Sequence, residues 1–142
     1  MTEAQQATLA AEHAAVYTYG VLGGRASALG NTPLQAQVSA AYGVHRARRD
    51  ALVRAVRDQG GEPVAAAPAY DVTPMPVTTA QVRRSAQEVE AATAEAYASL
   101  VAATTGGQRE WAVQGLTDAA VREVGFGAAP EAFPGAGELG SR

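Results

Sequence analysis

Apolar residues recur every three or four positions in four separate stretches of the chain, with polar residues at the positions between them. This spacing places the apolar side chains on one face of a helix, so the pattern predicts four amphipathic helices. We expect these helices at residues 3–22, 33–59, 79–104 and 108–125. Their apolar positions are, in chain order, Leu9 and Val16; Leu34, Val38, Ala41, Leu52 and Val56; Val82, Val89, Ala96 and Leu100; and Val113, Leu116 and Ala120.

Capping residues mark where the helices begin and end. A threonine followed three residues later by glutamine lets both side chains bond free backbone amides at a helix start. The chain has three such pairs, at Thr2 and Gln5, Thr32 and Gln35, and Thr78 and Gln81. Glycine ends helices readily because it adopts the left-handed backbone conformation. Glycines at 23–24, at 60–61, at 106–107, and at 125 and 127 therefore predict the four helix ends.

The links between the helices indicate their connectivity. Short links after helices 1 and 3 favour two antiparallel hairpins. The link over residues 60–78 contains four prolines, and at about 3.3 Å per residue it can extend over roughly 60 Å. A helix of about 26 residues is only about 39 Å long, so this link can cross the whole bundle and leave helices 2 and 3 parallel. We therefore predict an all-α four-helix bundle with ferritin-like connectivity; the alternative is an up-down-up-down bundle whose long loop folds over one end.

The length of the chain fits one domain with a single core, so we take residues 1–142 as one domain. The last segment, residues 126–142, is rich in glycine and proline and cannot continue helix 4. It contains both phenylalanines of the chain, Phe126 and Phe133. Because exposed aromatic rings are unfavourable in water, we expect the first half of this tail to dock on the bundle.

Composition and charge exclude several classes of function. The absence of cysteine excludes disulfides, thiolate zinc sites and cysteine nucleophiles. A formal net charge of -3 favours neither a polyanion nor an anionic membrane as partner. No stretch of about 18 apolar residues occurs, and the first residues predict a polar helix instead of a hydrophobic leader. We expect a cytoplasmic protein with no membrane partner.

Five arginines between residues 46 and 57 raise the question of nucleic-acid binding. Arg46, Asp50, Arg54 and Asp58 alternate in sign at four-residue intervals, which is typical of a solvated, self-neutralising helix face. No aromatic residues are interleaved with the arginines, and the net charge is negative. Nucleic acid is therefore not the expected partner.

One ionisable residue lies near the middle of each predicted helix: Glu12, His45, Glu90 and Asp118. In an antiparallel bundle the mid-helix positions share a level, so these four side chains could meet in the interior. Ferritin-like di-metal sites use one glutamate from each of two helices and a Glu-x-x-His pair from each of the other two. A site for iron or manganese made from these four residues is therefore one hypothesis.

The ligand spacing argues against that hypothesis. Tyr42 stands three residues before His45, where a ligand glutamate is needed. Val121 stands three residues after Asp118, where a ligand histidine is needed. The six ligands of a di-metal site are thereby reduced to at most four, and no metal cofactor is the main expectation.

The favoured interpretation is a polar core whose buried members neutralise one another. Arg49 lies one turn after His45 and is the cation that we expect to pair with Glu12. The tyrosines are expected at the boundary of the core, with hydroxyls that reach solvent or a carboxylate, and not as redox partners of a metal. They are Tyr17, Tyr19, Tyr42 and Tyr97.

Several segments together resemble an alanine-rich ferritin-like family of unknown function from high-G+C bacteria. The segments are EHAAVYTYGVLGG, HRARRDALVRAVRDQGGEP, EVEAATAEAYASLV, LTDAA and AFPG, together with the Pro/Ala-rich link that contains Tyr70. The resemblance covers nearly the whole chain and implies a closed four-helix ferritin-like domain, but no activity. The positions that it matches form the predicted polar core: Glu12, His45, Arg49, Glu90, Tyr97 and Asp118.

These observations lead to two hypotheses of function. The first is a non-catalytic ferritin-like bundle that acts through its surface, as a homodimer or with a protein partner, because small alanine-lined faces permit close helix contacts. The alternative is a metal-binding protein or oxidase that holds iron or manganese at Glu12, His45, Glu90 and Asp118.

Overall fold

The computed structural model describes residues 3–137, and this range contains four α-helices and no strand. They are α1 (Glu3–Ala28), α2 (Thr32–Asp58), α3 (Thr79–Ala103) and α4 (Gly106–Gly125). The prediction of an all-α protein with four helices is confirmed. None of the four helices within residues 3–137 combines the length and the hydropathy that a membrane-spanning helix requires.

The predicted end of helix 1 is wrong, because α1 continues through Gly23 and Gly24 to Ala28. A glycine within a helix costs about 1 kcal/mol relative to alanine, which burial of neighbouring side chains can offset. Leu22 and Ala26 are fully buried on the same face of α1 and supply that burial. The chain turns instead at Gly30, whose φ of +66° suits glycine.

The helix starts follow the predicted capping chemistry at one position and differ at another. The reciprocal capping box of Thr78 and Gln81 is present at the start of α3. At α2 the cap is Asn31 and not Thr32, because the Asn31 side chain accepts a hydrogen bond from the Leu34 amide at 3.1 Å. The predicted pair at Thr2 begins outside the described residues.

Contacts between side chains establish the directions of the helices. Glu12 bonds His45 and Gly23 lies against Val38, so α1 and α2 run antiparallel. α1 also packs against α3, and α3 packs against α4. The contacts that show these two pairs to be antiparallel are Thr8 with Ala96, Tyr19 with Glu90, Tyr97 with Trp111, and Gln87 with Phe126.

Helices α2 and α3 run parallel, because Gln37 bonds Arg83 near their starts and His45 bonds Glu90 further along both. The link between these two helices lies along α1. Its early residue Val64 bonds the side chains of Gln6 and His13, and the Tyr70 ring meets the Tyr17 ring at 5.5 Å.

The apolar face predicted for helix 4 is only partly right. The buried residues of α4 are Ala112, Gly115 and Ala119, whereas Val113 is 44% exposed. The reason is steric: α4 approaches the large Tyr97 ring of α3, and only small side chains fit between them. Val113, Val121 and Val124 are therefore turned outward, whereas Trp111 and the predicted core residue Leu116 are partly buried against the cluster around Tyr97.

The tail after α4 docks through one of its two phenylalanines. Phe126 is buried among the side chains of α1, α2 and α3, whereas Phe133 is half exposed. Gly135, with a φ of +73°, lies directly against the Ala94 backbone of α3, where a side chain would not fit. The tail therefore contacts the bundle at Phe126 and again at Gly135.

Candidate functional site

Three ionisable side chains from three helices meet in the centre of the bundle. Glu12 of α1, His45 of α2 and Glu90 of α3 are each 0% exposed. His45 Nδ1 lies 2.7 Å from Glu12 Oε2, and His45 Nε2 lies 3.0 Å from Glu90 Oε1. We refer to these three residues as the Glu–His–Glu bridge.

Helical spacing explains why the three residues point inward. Each lies one turn after a core residue of its own helix: Glu12 after Leu9, His45 after Ala41 and Glu90 after Ala86. Side chains three or four residues apart share a helix face, so burial of the apolar neighbour also buries the ionisable residue.

Hydrogen bonding assigns the protonation state of the bridge. A neutral imidazole has one donor and one acceptor nitrogen, whereas an imidazolium donates from both. Because both nitrogens of His45 face carboxylates, we assign the ring as an imidazolium that donates to Glu12 and to Glu90. Burial alone would lower the pKa of His45, but the hydrogen bonds and negative charges of the two glutamates outweigh burial and raise it.

Glu90 is held in its charged form by its surroundings. Burial acts to raise the pKa of its carboxyl group, but the hydrogen bond and charge of His45, the charge of Arg122 and the hydroxyl of Tyr19 lower it below the ordinary value. Arg122 Nη1 of α4 lies 3.3 Å from Glu90 Oε2. Two carboxylates, one imidazolium and one guanidinium make this group neutral overall.

Two buried tyrosines complete the hydrogen bonding of the carboxylates. The Tyr19 hydroxyl donates to Glu90 Oε1 at 2.5 Å, and the Tyr97 hydroxyl donates to Glu12 Oε1 at 2.8 Å. Burial and the nearby carboxylates raise the pKa of both hydroxyls, so both stay protonated and act as donors. The Tyr19 ring also stacks on the His45 ring, with 5.2 Å between centroids.

The tyrosines connect the bridge to two separate hydrophobic clusters. Tyr19 belongs to a cluster that includes Leu22, Leu34 and Phe126, and Tyr97 belongs to a second cluster with Leu100. The bridge therefore lies between two apolar regions that exclude water from it. Within residues 3–137, every buried side-chain nitrogen or oxygen has a hydrogen-bond partner.

Two residues of the predicted polar core lie outside it. Arg49 was expected to pair with Glu12, but it bonds the adjacent Asp50 at 2.8 Å and is partly exposed. Glu12 instead bonds His45 and Tyr97, one on each carboxylate oxygen.

Asp118 is the second correction. Its side chain is 58% exposed because the core face of α4 is the line of small residues, which turns Asp118 towards the edge beside α2. There it accepts a hydrogen bond from Arg48 at 2.5 Å, and Arg48 also donates to the Gly115 carbonyl. The Arg48 guanidinium lies over the Tyr97 ring, 5.2 Å from its centroid.

Sequence reasoning did not identify Arg48 or Arg122 as partners of this region, and it predicted Tyr19 at the boundary of the core, whereas Tyr19 is buried. A signal for Tyr19 was present, because it follows Glu12 by seven residues, or two turns, on the same face. Arg122 reaches the core from the edge of α4, and its role depends on how α4 is rotated. That rotation is set by contact with Tyr97, which no pattern within α4 reveals.

The residues present do not fit a two-metal centre. Each His45 nitrogen is already bonded to a carboxylate, and the two carboxylates lie on opposite sides of the ring. The second oxygen of Glu90, Oε2, is paired with the Arg122 cation. Asp118 is at the surface. No three histidine, aspartate or glutamate side chains in the described part of the chain are grouped so that they could hold a metal ion.

The fold and the buried centre define a four-helix protein with an internal carboxylate–histidine network. The chain belongs to the family described as a domain of unknown function, DUF4439, whose model matches residues 4–138. The prediction of a domain family of unknown function is thereby confirmed. No curated protein matches the chain.

A solved structure supports the fold. The chain is similar to the crystal structure of a conserved hypothetical protein, rv2844, from Mycobacterium tuberculosis, with 31% sequence identity and a TM-score of 0.78. The match covers 87% of this chain and 91% of the other. The arrangement of the helices is thus shared over nearly the full length of both chains.

Proposed function

We propose that this protein is a non-catalytic ferritin-like bundle that acts by self-association or by binding a protein partner. In this proposal an internal salt bridge takes the place that metal ions occupy in ferritin-like di-metal proteins. The ferritin-like connectivity is supported by the parallel direction of α2 and α3 and by the long link that lies along α1.

The observation that carries the proposal is the double hydrogen bond of His45. With an acidic partner on each ring nitrogen, His45 has no lone pair left for a metal and no proton left to exchange with a substrate. A general acid or base must come within hydrogen-bond reach of its substrate, and the Glu–His–Glu bridge is fully buried. The arrangement suits a structural role.

That structural role is to join all four helices. Glu12 belongs to α1, His45 to α2, Glu90 to α3 and Arg122 to α4, so the network has one charged member on each helix. Many core positions are alanine, which buries less apolar area than leucine and gives less stabilisation per position. Polar partners that must match also specify one packing of otherwise similar helices.

Metal binding tests the proposal directly. Wild-type protein, His45→Ala and the matched control His13→Ala are purified with iron or manganese supplied, and bound metal is measured by elemental analysis. His13 is the only other histidine in the chain and bonds the Val64 carbonyl away from the bridge. We expect no stoichiometric metal in any of the three proteins.

The metal-binding alternative predicts a different pattern. Stoichiometric iron or manganese in the wild type and in His13→Ala, but not in His45→Ala, would contradict the proposal. It would instead support a metal-binding protein that uses the buried carboxylates and His45.

A further inference from the structure

A pocket of about 260 Å³ lies between α2 and α4, near the start of α4. All four helices contribute to its lining, through Gln5 of α1, Leu52 of α2, Leu100 of α3 and Trp111 of α4. Leu52 and Leu100 are buried, whereas Gln108, which also lines the pocket, is exposed. The pocket therefore has a buried apolar floor and a side that is open to solvent, through which a small molecule can enter.

The walls of the pocket suit a flat molecule. Ala51 and Ala55 are one turn apart on α2, so they present two small methyl groups on the same side of that helix. Trp111 lines the pocket from α4, across the gap, and its ring packs against Tyr97 with 5.6 Å between centroids. A planar aromatic molecule fits between the alanine wall and the Trp111 ring, because aromatic rings pack favourably in offset-stacked or edge-to-face pairs.

No charged side chain within residues 3–137 lines the pocket. Its polar lining side chains are Gln5, Thr104 and Gln108, all of them uncharged, and the Thr104 hydroxyl already donates to a carbonyl of α3 at 2.6 Å. Arg109 and Glu110 follow Gln108 in α4 but do not belong to the lining. An ion that enters apolar surroundings without a partner of opposite charge loses its hydration at a high cost, so the lining favours a neutral ligand.

The volume of the pocket sets the size of that ligand. A cavity of about 150 Å³ lined by apolar side chains stays dry and binds benzene, because water needs several polar partners that such a lining lacks. The pocket at the start of α4 is roughly 1.7 times as large, which leaves room for a second fused ring.

We infer that the pocket at the start of α4 is a binding site for a neutral molecule of two fused aromatic rings. In the bound state the rings lie between Trp111 and the alanines of α2, with Leu52 and Leu100 beneath them. Burial of apolar surface from water supplies the affinity. The inference goes beyond the proposed function, because the pocket shares no residue with the Glu–His–Glu bridge.

Indole is the probe that tests this site, because it is neutral, has two fused rings and dissolves well in water. The full chain is labelled with fluorotryptophan, which places a single fluorine label at Trp111, the only tryptophan. Fluorine NMR and calorimetry should both show saturable binding of one indole per chain, with a dissociation constant of about 1 mM or lower. The two-ring cation N-methylquinolinium should bind at least about tenfold more weakly, because no carboxylate lines the pocket.

Variants that fill the pocket locate the binding. Ala55→Leu and, separately, Ala51→Leu place a larger side chain where the rings would lie, and each should weaken indole binding by about tenfold or more. Ala47→Leu makes the same change at an exposed position of α2 and should bind indole as the wild type does. Circular dichroism of each variant shows that it is folded, and if Ala55→Leu does not fold, Ala51→Leu decides the result.

The site would be overturned by a wild type that shows no saturable change at Trp111, or by a cation that binds as tightly as indole. Folded leucine variants at positions 51 and 55 that bind indole as well as Ala47→Leu would also overturn it. None of these results depends on metal binding at His45, which tests the proposed function separately.

Discussion

His45 is charged in a place where an unpaired charge would be very unfavourable. A buried ion is tolerated when its partners match it in charge and in hydrogen bonding, and removal of one partner leaves an uncompensated charge. Glu12 and Glu90 are those partners, and both are as deeply buried as His45. The free energy of unfolding should therefore depend strongly on each of them.

Glu12→Gln removes one of the two negative charges and leaves the shape of the side chain nearly unchanged. We expect the free energy of unfolding to fall by about 3 kcal/mol or more, because the imidazolium loses a charged partner. The measurement is urea unfolding followed by circular dichroism. The control Glu3→Gln alters an exposed glutamate in the first turn of the same helix and should lower the free energy of unfolding by less than about 1 kcal/mol, the contribution of a charge at a helix end. A loss below about 0.5 kcal/mol for Glu12→Gln would mean that the bridge does not stabilise the fold.

The pH dependence of stability follows from the two shifted groups of the bridge. The raised pKa of His45 gives stability that is complete below the unfolded value of 6.5 and is lost as pH rises through the folded pKa. The lowered pKa of Glu90 gives stability that is complete above the unfolded value of 4.5 and is lost as pH falls through the folded pKa.

The unfolding free energy should therefore be highest between pH 4.5 and 6.5 and should fall on both sides of this window. Urea unfolding at a series of pH values measures the profile, and His45→Gln should flatten its alkaline side. Wild-type stability that rises steadily from pH 6.5 upwards would contradict the assigned charge on His45.

Individual residues show which parts of the site can be read from sequence. Glu12 and His45 follow apolar residues by one turn, and their burial is a direct consequence of that spacing. Arg49 also follows His45 by one turn, yet it bonds Asp50, while Glu12 is bonded by His45 and Tyr97. Competition between possible partners depends on distances across helices, and one sequence does not contain them.

At the scale of the helices, α4 has a core face that hydrophobicity does not indicate. Its buried line is Ala112, Gly115 and Ala119, while its valines face outward. The sequence pattern predicts Val113 on the core face of α4, because large apolar residues are taken to be the buried ones. The Tyr97 ring of α3 lies where a side chain on Gly115 would be, so the smallest residues of α4, not the largest, face the core there.

Gly115→Ala tests this packing. Alanine normally stabilises a helix by up to about 1 kcal/mol relative to glycine. Here the added methyl group would overlap the Tyr97 ring, so we expect a loss of about 1–3 kcal/mol in the free energy of unfolding. Gly24→Ala is the matched control, because no atom lies near that position in α1 and it should raise stability by about 0.5–1 kcal/mol. Equal stabilisation by both substitutions would contradict the close approach of α3 and α4.

The sequence predicts a helix boundary correctly where a capping side chain forms it. It predicts the boundary wrongly where packing between helices determines how far the helix extends. Thr78 and Gln81 start α3 through their own hydrogen bonds, so the sequence contains the whole signal. Gly23 and Gly24 would end an isolated helix, but Leu22 and Ala26 pack against the other helices and extend α1 past them.

At the scale of the whole molecule, α2 and α4 pack less closely than the pairs α1 and α2, α1 and α3, and α3 and α4. Arg48 spans the gap between them through Asp118 and the Gly115 carbonyl. Near the start of α4 the gap contains a largely apolar pocket of about 260 Å³. Ala51, Leu52, Ala55, Leu100 and Trp111 are among its lining residues. Space therefore remains between α2 and α4 near the start of α4.

Filling this pocket should stabilise the protein. We expect Ala55→Leu to raise the free energy of unfolding by about 0.5–2 kcal/mol, because the added methyl groups enter existing space. Trp111 lines the pocket and is the only tryptophan, so its fluorescence emission should also shift to shorter wavelength. Ala47→Leu, at an exposed position of α2, is the control and should change neither quantity appreciably. Destabilisation by Ala55→Leu would mean that the gap between α2 and α4 is smaller than described.

The protonation state of His45 is the most direct test of the central claim, that a buried imidazolium bridges two carboxylates at the middle of the bundle. Nitrogen-15 NMR of the imidazole side chains, with His13→Ala used to assign His45, reports the state of each ring nitrogen. We predict that both nitrogens of His45 carry protons at about pH 7, where a free imidazole is mostly neutral. A neutral His45 ring at that pH, with one nitrogen unprotonated, would contradict it.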